Sequence, residues 1–201
     1  MKLTESQLDT LKEISNIGVS RAATQLSTLL NDEIVMRVPE IYFLPVDEAV
    51  RLMPEYENVS VVYQDLKGDF SGRAHLVFHN DESRLLVHAL IGTAFTQGSE
   101  DMRRLYETET MMEIGNIVIS TCISTFANLL KNEIVLTTPT YTELHVSKLF
   151  DRWPEDTVSM IIETTLCASK RDVTGTLLIM LTIGSAKNLL IRIADFCQNI
   201  E

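Results

Sequence analysis

The sequence predicts an α+β chain: a helix, strand, hairpin and helix unit that occurs twice about an approximate two-fold axis, with an antiparallel sheet covered by helices. Three observations carry this. The run EISNIGVSRAATQLSTLLNDEIVMRVP, Glu13 to Pro39, returns without a gap one hundred positions later as EIGNIVISTCISTFANLLKNEIVLTTP, Glu113 to Pro139. Each copy is followed by two stretches that alternate apolar and polar side chains, the mark of a half-buried hairpin. Each half then closes on a segment of helical periodicity. We read one domain, 1–201, built of a first repeat over 1–96 and a second over 102–201.

The first unit opens at Thr4, placed to cap a helix whose Gln7 reaches back to it. That helix spans about Glu5 to Leu30, roughly 39 Å at 1.5 Å per residue. On a helical wheel Leu8, Leu11, Ile14, Gly18, Val19, Ala22, Leu26 and Leu29 form the core side. Asp9, Glu13, Asn16, Ser20, Thr24 and Ser27 form the outer line. Gly18 costs on the order of 0.5–1 kcal/mol relative to alanine inside a helix, so its place on the core side predicts another backbone packed closely on it.

A β-rich run, EIVMRVPEIYFLP, follows, with Pro39 at an edge or bend because it cannot donate a ladder hydrogen bond. VDEAVRLM is a short helix. Residues 58–66 and 69–78 form a hairpin around Lys67-Gly68, and a helix starts at Asn80 and ends near Gly92. TAFTQGSEDMRR is a polar linker. The second unit repeats the order: a long helix from about Met102 to Leu130, a strand over 133–143, the amphipathic segment LHVSKLFDRW, a hairpin over 157–167 and 172–182, and a last helix, SAKNLLIRIADF. Asp172 and Gly175 echo Asp69 and Gly72.

Composition removes several function classes. The net charge is -11, from 28 acidic and 17 basic residues, which repels a nucleic-acid backbone. Cys122, Cys167 and Cys197 are too few and too scattered for a disulfide framework or a CxxC metal site and read as small core residues in a reducing compartment. The N-terminus lacks the basic start and apolar run of a secretory signal, and no apolar run approaches the ~18 residues of a spanning helix. These features predict a cytoplasmic chain without membrane insertion. His75, His79, His88 and His145 have no ligand partners at metal spacing, no GxSxG elbow seats a nucleophile, and Gly-rich phosphate loops are missing. Met111 and Met112 read as core and rim, and Trp153 as structural.

What remains is the exposed line of the long helices. Glu13 and Asn16, three apart, have Cβ atoms about 5–6 Å from each other, with Asp9 one turn earlier. Glu109, Glu113 and Asn116 repeat the arrangement. An exposed mid-helix asparagine is a poor helix former, and it stands at the same position of both copies.

The spacing Asp9-x3-Glu13-x2-Asn16-x22-Pro39, repeated as Glu113-x2-Asn116-x22-Pro139, resembles the signature of the CheC/CheX/FliY family of chemotaxis phosphatases. The resemblance covers essentially the whole chain, and the length and doubled motif look like those of a stand-alone CheC. It implies hydrolysis of the aspartyl phosphate of a CheY-type response regulator, with Asn16 and Asn116 orienting the attacking water and Glu13 and Glu113 pairing with the regulator's lysine. Asp9 and Glu109 are further docking candidates, and Pro39 and Pro139 are structural members of the motif. No cofactor of its own is implied; Mg²⁺ comes with the regulator. The chain is expected to be monomeric through its internal pseudo-dimer. The family pattern has Asp or Ser where Glu109 stands, and Gly18 is replaced by Val118, so the first site is expected to be the better of the two. A second reading is a non-catalytic module that binds a regulator or a CheD-type receptor deamidase, the latter through LHVSKLFDRW.

Overall fold

A computed structural model describes residues 3–30, 33–38, 40–52, 58–92, 99–151, 153–154, 156–168 and 171–198. In chain order the elements are α1 (Glu5–Leu30), β1 (Ile34–Arg37), β2 (Ile41–Pro45), α2 (Val46–Leu52), β3 (Asn58–Gly68), β4 (Gly72–His79), α3 (Asn80–Ile91), α4 (Glu100–Leu130), β5 (Ile134–Leu136), β6 (Thr140–His145), a 3-10 turn (Val146–Leu149), β7 (Val158–Ala168), β8 (Arg171–Leu181) and α5 (Ile183–Gln198). The expected order of helix, strand, hairpin and helix is present in both halves.

All strands join one antiparallel sheet in the order β1-β7-β8-β4-β3-β5, with β2 also on β7 and β6 also on β3. Each half therefore completes the other's sheet: the N-terminal β1 and β2 flank the C-terminal hairpin, and β5 and β6 flank the N-terminal one. The ladders repeat with the same shift as the sequence. Ile34 faces Ala168 as Ile134 faces Gly68, and Ile41 faces Ile162 as Tyr141 faces Val62. An approximate two-fold between β4 and β8 produces this pattern. One sequence echo is displaced, however. Leu66 faces Gly72 whereas Leu166 faces Val173, and the residue matching Gly175 is Ala74. The hairpin connections differ by one residue, which an unaligned reading of two glycines could not detect.

α1 and α4 lie together on one face of the sheet, with α3 packed on α4 and α5 on α1. The main core fills this interface: Leu11, Ile14, Leu26, Met111, Ile114 and Ile119 from the helices meet Val62, Leu76, Ile162 and Leu177 from the strands. Two smaller clusters cover the opposite face, where α2 and the 3-10 turn set Ala49, Leu149, Phe150 and Trp153 over Ile161, Leu178 and Val77. Trp153 is accordingly a structural residue.

Local signals explain the element ends. The Thr4 amide donates to Gln7 Oε1 (3.0 Å) and the Gln7 amide to Thr4 Oγ1 (3.2 Å), the reciprocal cap expected from sequence. Ser99 caps α4 by accepting from the Met102 amide, so the helix starts at Glu100, two residues before the expected Met102. The strand expected over 133–143 is broken around Pro139 into β5 and β6; Pro39 lies outside the described residues. The first hairpin turns at Asp69–Ser71, beyond Gly68, whose φ of +114° suits only glycine and which lies against the Glu133 carbonyl.

Two further expectations need correction. Leu29 is 52% exposed, because a wheel defines a helix's inner face but not how far along it the covering elements reach. And α4 is long and apolar enough to cross a membrane. Interspersed polar residues hide this in a scan for continuous apolar runs. Its apolar residues are used in the core, where Met111, Ile114, Val118 and Ile119 are buried.

Candidate functional site

Both motif helices are held by their inner faces. Gly18 lies on α4: a Cβ built there would be 3.1 Å from Cys122 Cα, which is the close backbone approach the sequence predicts. N-terminal to the crossing point, by one turn on α1 and by two on α4, the inner faces carry Ser15 and Gly115. Both are buried. Gly115 is pressed onto Val62, so a β-carbon there has no room. Ser15 is 1% exposed and its hydroxyl has no hydrogen-bond partner among the described residues.

Clamping the inner faces turns the motif side chains outward. Asp9, Glu13 and Asn16 are exposed on α1, and Glu109 and Glu113 are exposed on α4, while Asn116 is half-buried. Each Glu and Asn pair thus stands on the outer surface of a helix whose other side is core. The outward placement expected from periodicity is seen for Asp9, Glu13, Asn16, Glu109 and Glu113, whereas Asn116, read as exposed, is half-buried. Pro139, in the break between β5 and β6, is half-buried.

The surroundings of the two pairs differ. Asn116 Oδ1 accepts a hydrogen bond from Gln64 Nε2 (3.4 Å), and the same Nε2 donates to the Thr137 carbonyl (2.7 Å). Thr137 is locked in turn, because its hydroxyl accepts from the Asp65 amide (2.9 Å) and its amide donates to the Asp65 carbonyl (3.1 Å). Asn16 has no such support among the described residues. Instead, Lys12 beside its motif pairs with Glu40 across 3.5 Å. Gln64 was not singled out from sequence. The signal was a polar residue on a strand face it shares with Ser60, Val62 and Leu66.

Two grooves lie elsewhere. One of about 700 Å³ is lined by Arg84, Arg103, Arg104, Glu107 and Tyr141, and another of about 600 Å³ by Lys131, Arg192 and Asp195, and neither includes a motif residue. In the first groove Tyr141 donates to Glu107 Oε1 (3.1 Å), and burial raises the carboxyl's pKa. Among the described residues no three His, Cys, Asp or Glu side chains gather as metal ligands. Cys122 is buried with its thiol pushed up to about 12 by desolvation, so it is no nucleophile. The motif pairs, with Glu13, Asn16 and Glu113 exposed and Asn116 half-buried, form ridges on the described helix surfaces, an arrangement that can reach into another molecule.

Comparison with known proteins finds similar chains. The model of the CheC-like family matches residues 7–42, which include Glu13 and Asn16 and most of α1. The chain is 25% identical to the CheY-P phosphatase CheC of Bacillus subtilis over 68% of its own length and 66% of the relative's. It is 26% identical to the flagellar motor switch phosphatase FliY of the same organism over 77% of its length, spanning 40% of that longer protein. In three dimensions it superposes on Thermotoga maritima FliY with a TM-score of 0.73 at 17% identity, covering 100% of both chains. With a doubled Glu and Asn motif on paired helices over one antiparallel sheet, the chain fits the CheC/CheX/FliY family.

Proposed function

We propose that the chain is a phosphatase for the aspartyl phosphate of a CheY-type response regulator in chemotaxis signalling, with one site on α1 and one on α4. The observation that carries this is the outward placement of two Glu and Asn pairs, all exposed but the half-buried Asn116, on helices whose opposite faces are locked in the core. A rigid ridge of this kind suits a substrate that is already bound in the partner's own pocket. The names of the relatives support the substrate class.

In this reading Glu13 or Glu113 forms a charge-assisted hydrogen bond to a lysine of the regulator and sets the depth and angle of docking. The carboxamide of Asn16 or Asn116 then holds a water in line with the phosphorus. The water oxygen forms the new P–O bond while the bond to the aspartyl oxygen breaks, and the electron pair leaves with the carboxylate. A neutral amide takes no proton, so the water's proton passes to a phosphoryl oxygen or to solvent. This is adequate for a loose phosphoryl-transfer transition state, where positioning rather than deprotonation limits the rate. Mg²⁺ belongs to the regulator. Asp9 and Glu109, one turn earlier, extend the docking line.

The same reading makes the chain one cytoplasmic domain of two repeats, working as a monomer. A CheD-type partner at 144–153 would meet the exposed Ser147, Lys148 and Asp151, since Leu149 is buried and Phe150 and Trp153 are packed over the sheet.

The test is decay of a phosphorylated CheY-type regulator with the wild-type chain and with N16A, N116A and the double variant. The double variant should lose acceleration while its circular dichroism stays unchanged, because Asn16 is exposed and Asn116 is only half-buried. Undiminished decay would sink the proposal, and a tight complex that leaves decay unchanged even with the wild-type chain would make the protein a binding module.

A further inference from the structure

We propose that Gln64 is a positioning residue for the second site: it fixes the amide of Asn116 and makes that site the more effective of the two. The inference rests on the phosphatase reading above.

Gln64 is on β3 beneath α4 and is 2% exposed. Its orientation is set by the Thr137 carbonyl, which can only accept, so the Gln64 amide must present Nε2 there at 2.7 Å. The same nitrogen directs a second N–H to Asn116, at 3.4 Å from Oδ1. Asn116 must then present its oxygen, not its nitrogen, to the interior. One lone pair of Oδ1 is engaged. The other lone pair and both N–H groups stay available for a water and a phosphoryl oxygen. A side chain that can rotate and flip in solvent is converted into one with a defined donor and acceptor direction before the regulator arrives.

The first site has no equivalent. Strand register matches Gln64, opposite Ala74, with Thr164, opposite Gly175. Thr164 is 2% exposed and donates its hydroxyl to the Gly175 carbonyl (2.9 Å), within its own sheet. Asn16 is left exposed and must be ordered at the moment of docking. Differences at Glu109 and Val118 suggested from sequence that the first site would be favoured, whereas the support beneath Asn116 reverses that order.

The experiment measures regulator dephosphorylation in two backgrounds: N16A, where only the second site works, and N116A, where only the first does. Gln64→Met keeps the volume and removes both hydrogen bonds. In the N16A background it should lower kcat about tenfold with KM unchanged, because docking through Glu113 is untouched. In the N116A background it has no asparagine to act on, and the rate should hold. Equal losses in both backgrounds, no loss in N16A, or a rise in KM alone would each overturn the assignment. Gln64→Thr, which copies Thr164, gives the same test if the methionine variant folds poorly. A separate readout is the side-chain amide NMR spectrum of the chain alone. Removing the Gln64 bonds should move the Asn116 amide signals and leave those of Asn16 in place, and unmoved Asn116 signals would refute the contact. That spectrum does not depend on catalysis, so failure of the phosphatase reading would be seen separately, as undiminished decay with the N16A/N116A chain.

Discussion

Gly18 of α1 rests on the backbone of α4 at Cys122, where a β-carbon would come within 3.1 Å of the Cys122 Cα. The two helices that carry the motifs are thus spaced by one missing side chain. Sequence position 118, its counterpart in the second copy, holds valine. Gly18→Val should therefore be destabilising despite valine's better helix propensity, by about 1–3 kcal/mol from overpacking. Urea unfolding of the variant measures this, and a stability equal to wild type would show that the helices separate freely.

Gly115 makes a second such contact, against Val62 on β3. Valine is branched at Cβ and has few alternative rotamers, so Gly115→Ala should also cost about 1–3 kcal/mol. Val62→Ala in the same chain should recover part of the loss, and a double-mutant cycle gives the coupling. Because Asn116 is the next residue and Gln64 the next inward position on β3, Gly115→Ala should also reduce turnover in an N16A chain more than in an N116A chain.

His75 predicts a pH dependence. It is 4% exposed on the far face of the sheet, with ring centroids 6.2 Å from Tyr63 and 6.5 Å from Trp153, and its Nδ1 has no partner among the described residues. Burial first, then the charge of Arg73, lowers its pKa to about 4, against smaller opposing effects of the Leu178 backbone and Asp65. The unfolded chain takes up this proton near 6.5, so between pH 6.5 and 4 the unfolded state binds more protons than the folded one. Stability from this residue is complete above pH 6.5 and is lost as pH falls toward 4, by up to roughly 3 kcal/mol. Chemical denaturation at pH 7 and pH 5 should show a smaller drop for His75→Phe than for wild type.

Much of the candidate surface was legible in sequence because it depends on local rules. The Thr4 and Gln7 cap, the inner face of α1 and the exposure of Glu13, Asn16 and Glu113 follow from a 3.6-residue period that needs no knowledge of the partner element. The ungapped recurrence also made the shared order of elements readable. Errors arose where the answer depends on what lies opposite. Leu29 has core spacing but is exposed, and Gly175 looks like the copy of Gly72 until the strand register matches it to Ala74.

The sequence alone determined the two-part plan, the paired helices and which residues face outward, since each is set by periodicity within one segment. Only the tertiary structure decided that each half completes the other's sheet, that Gly18 meets Cys122, and that Gln64 bonds Asn116 while its register counterpart Thr164 bonds Gly175. Those relationships join residues far apart in the chain, and they arise from how the sheet packs beneath the helices. The two copies of one motif are therefore chemically unequal for reasons that lie on the strands, outside the motif itself.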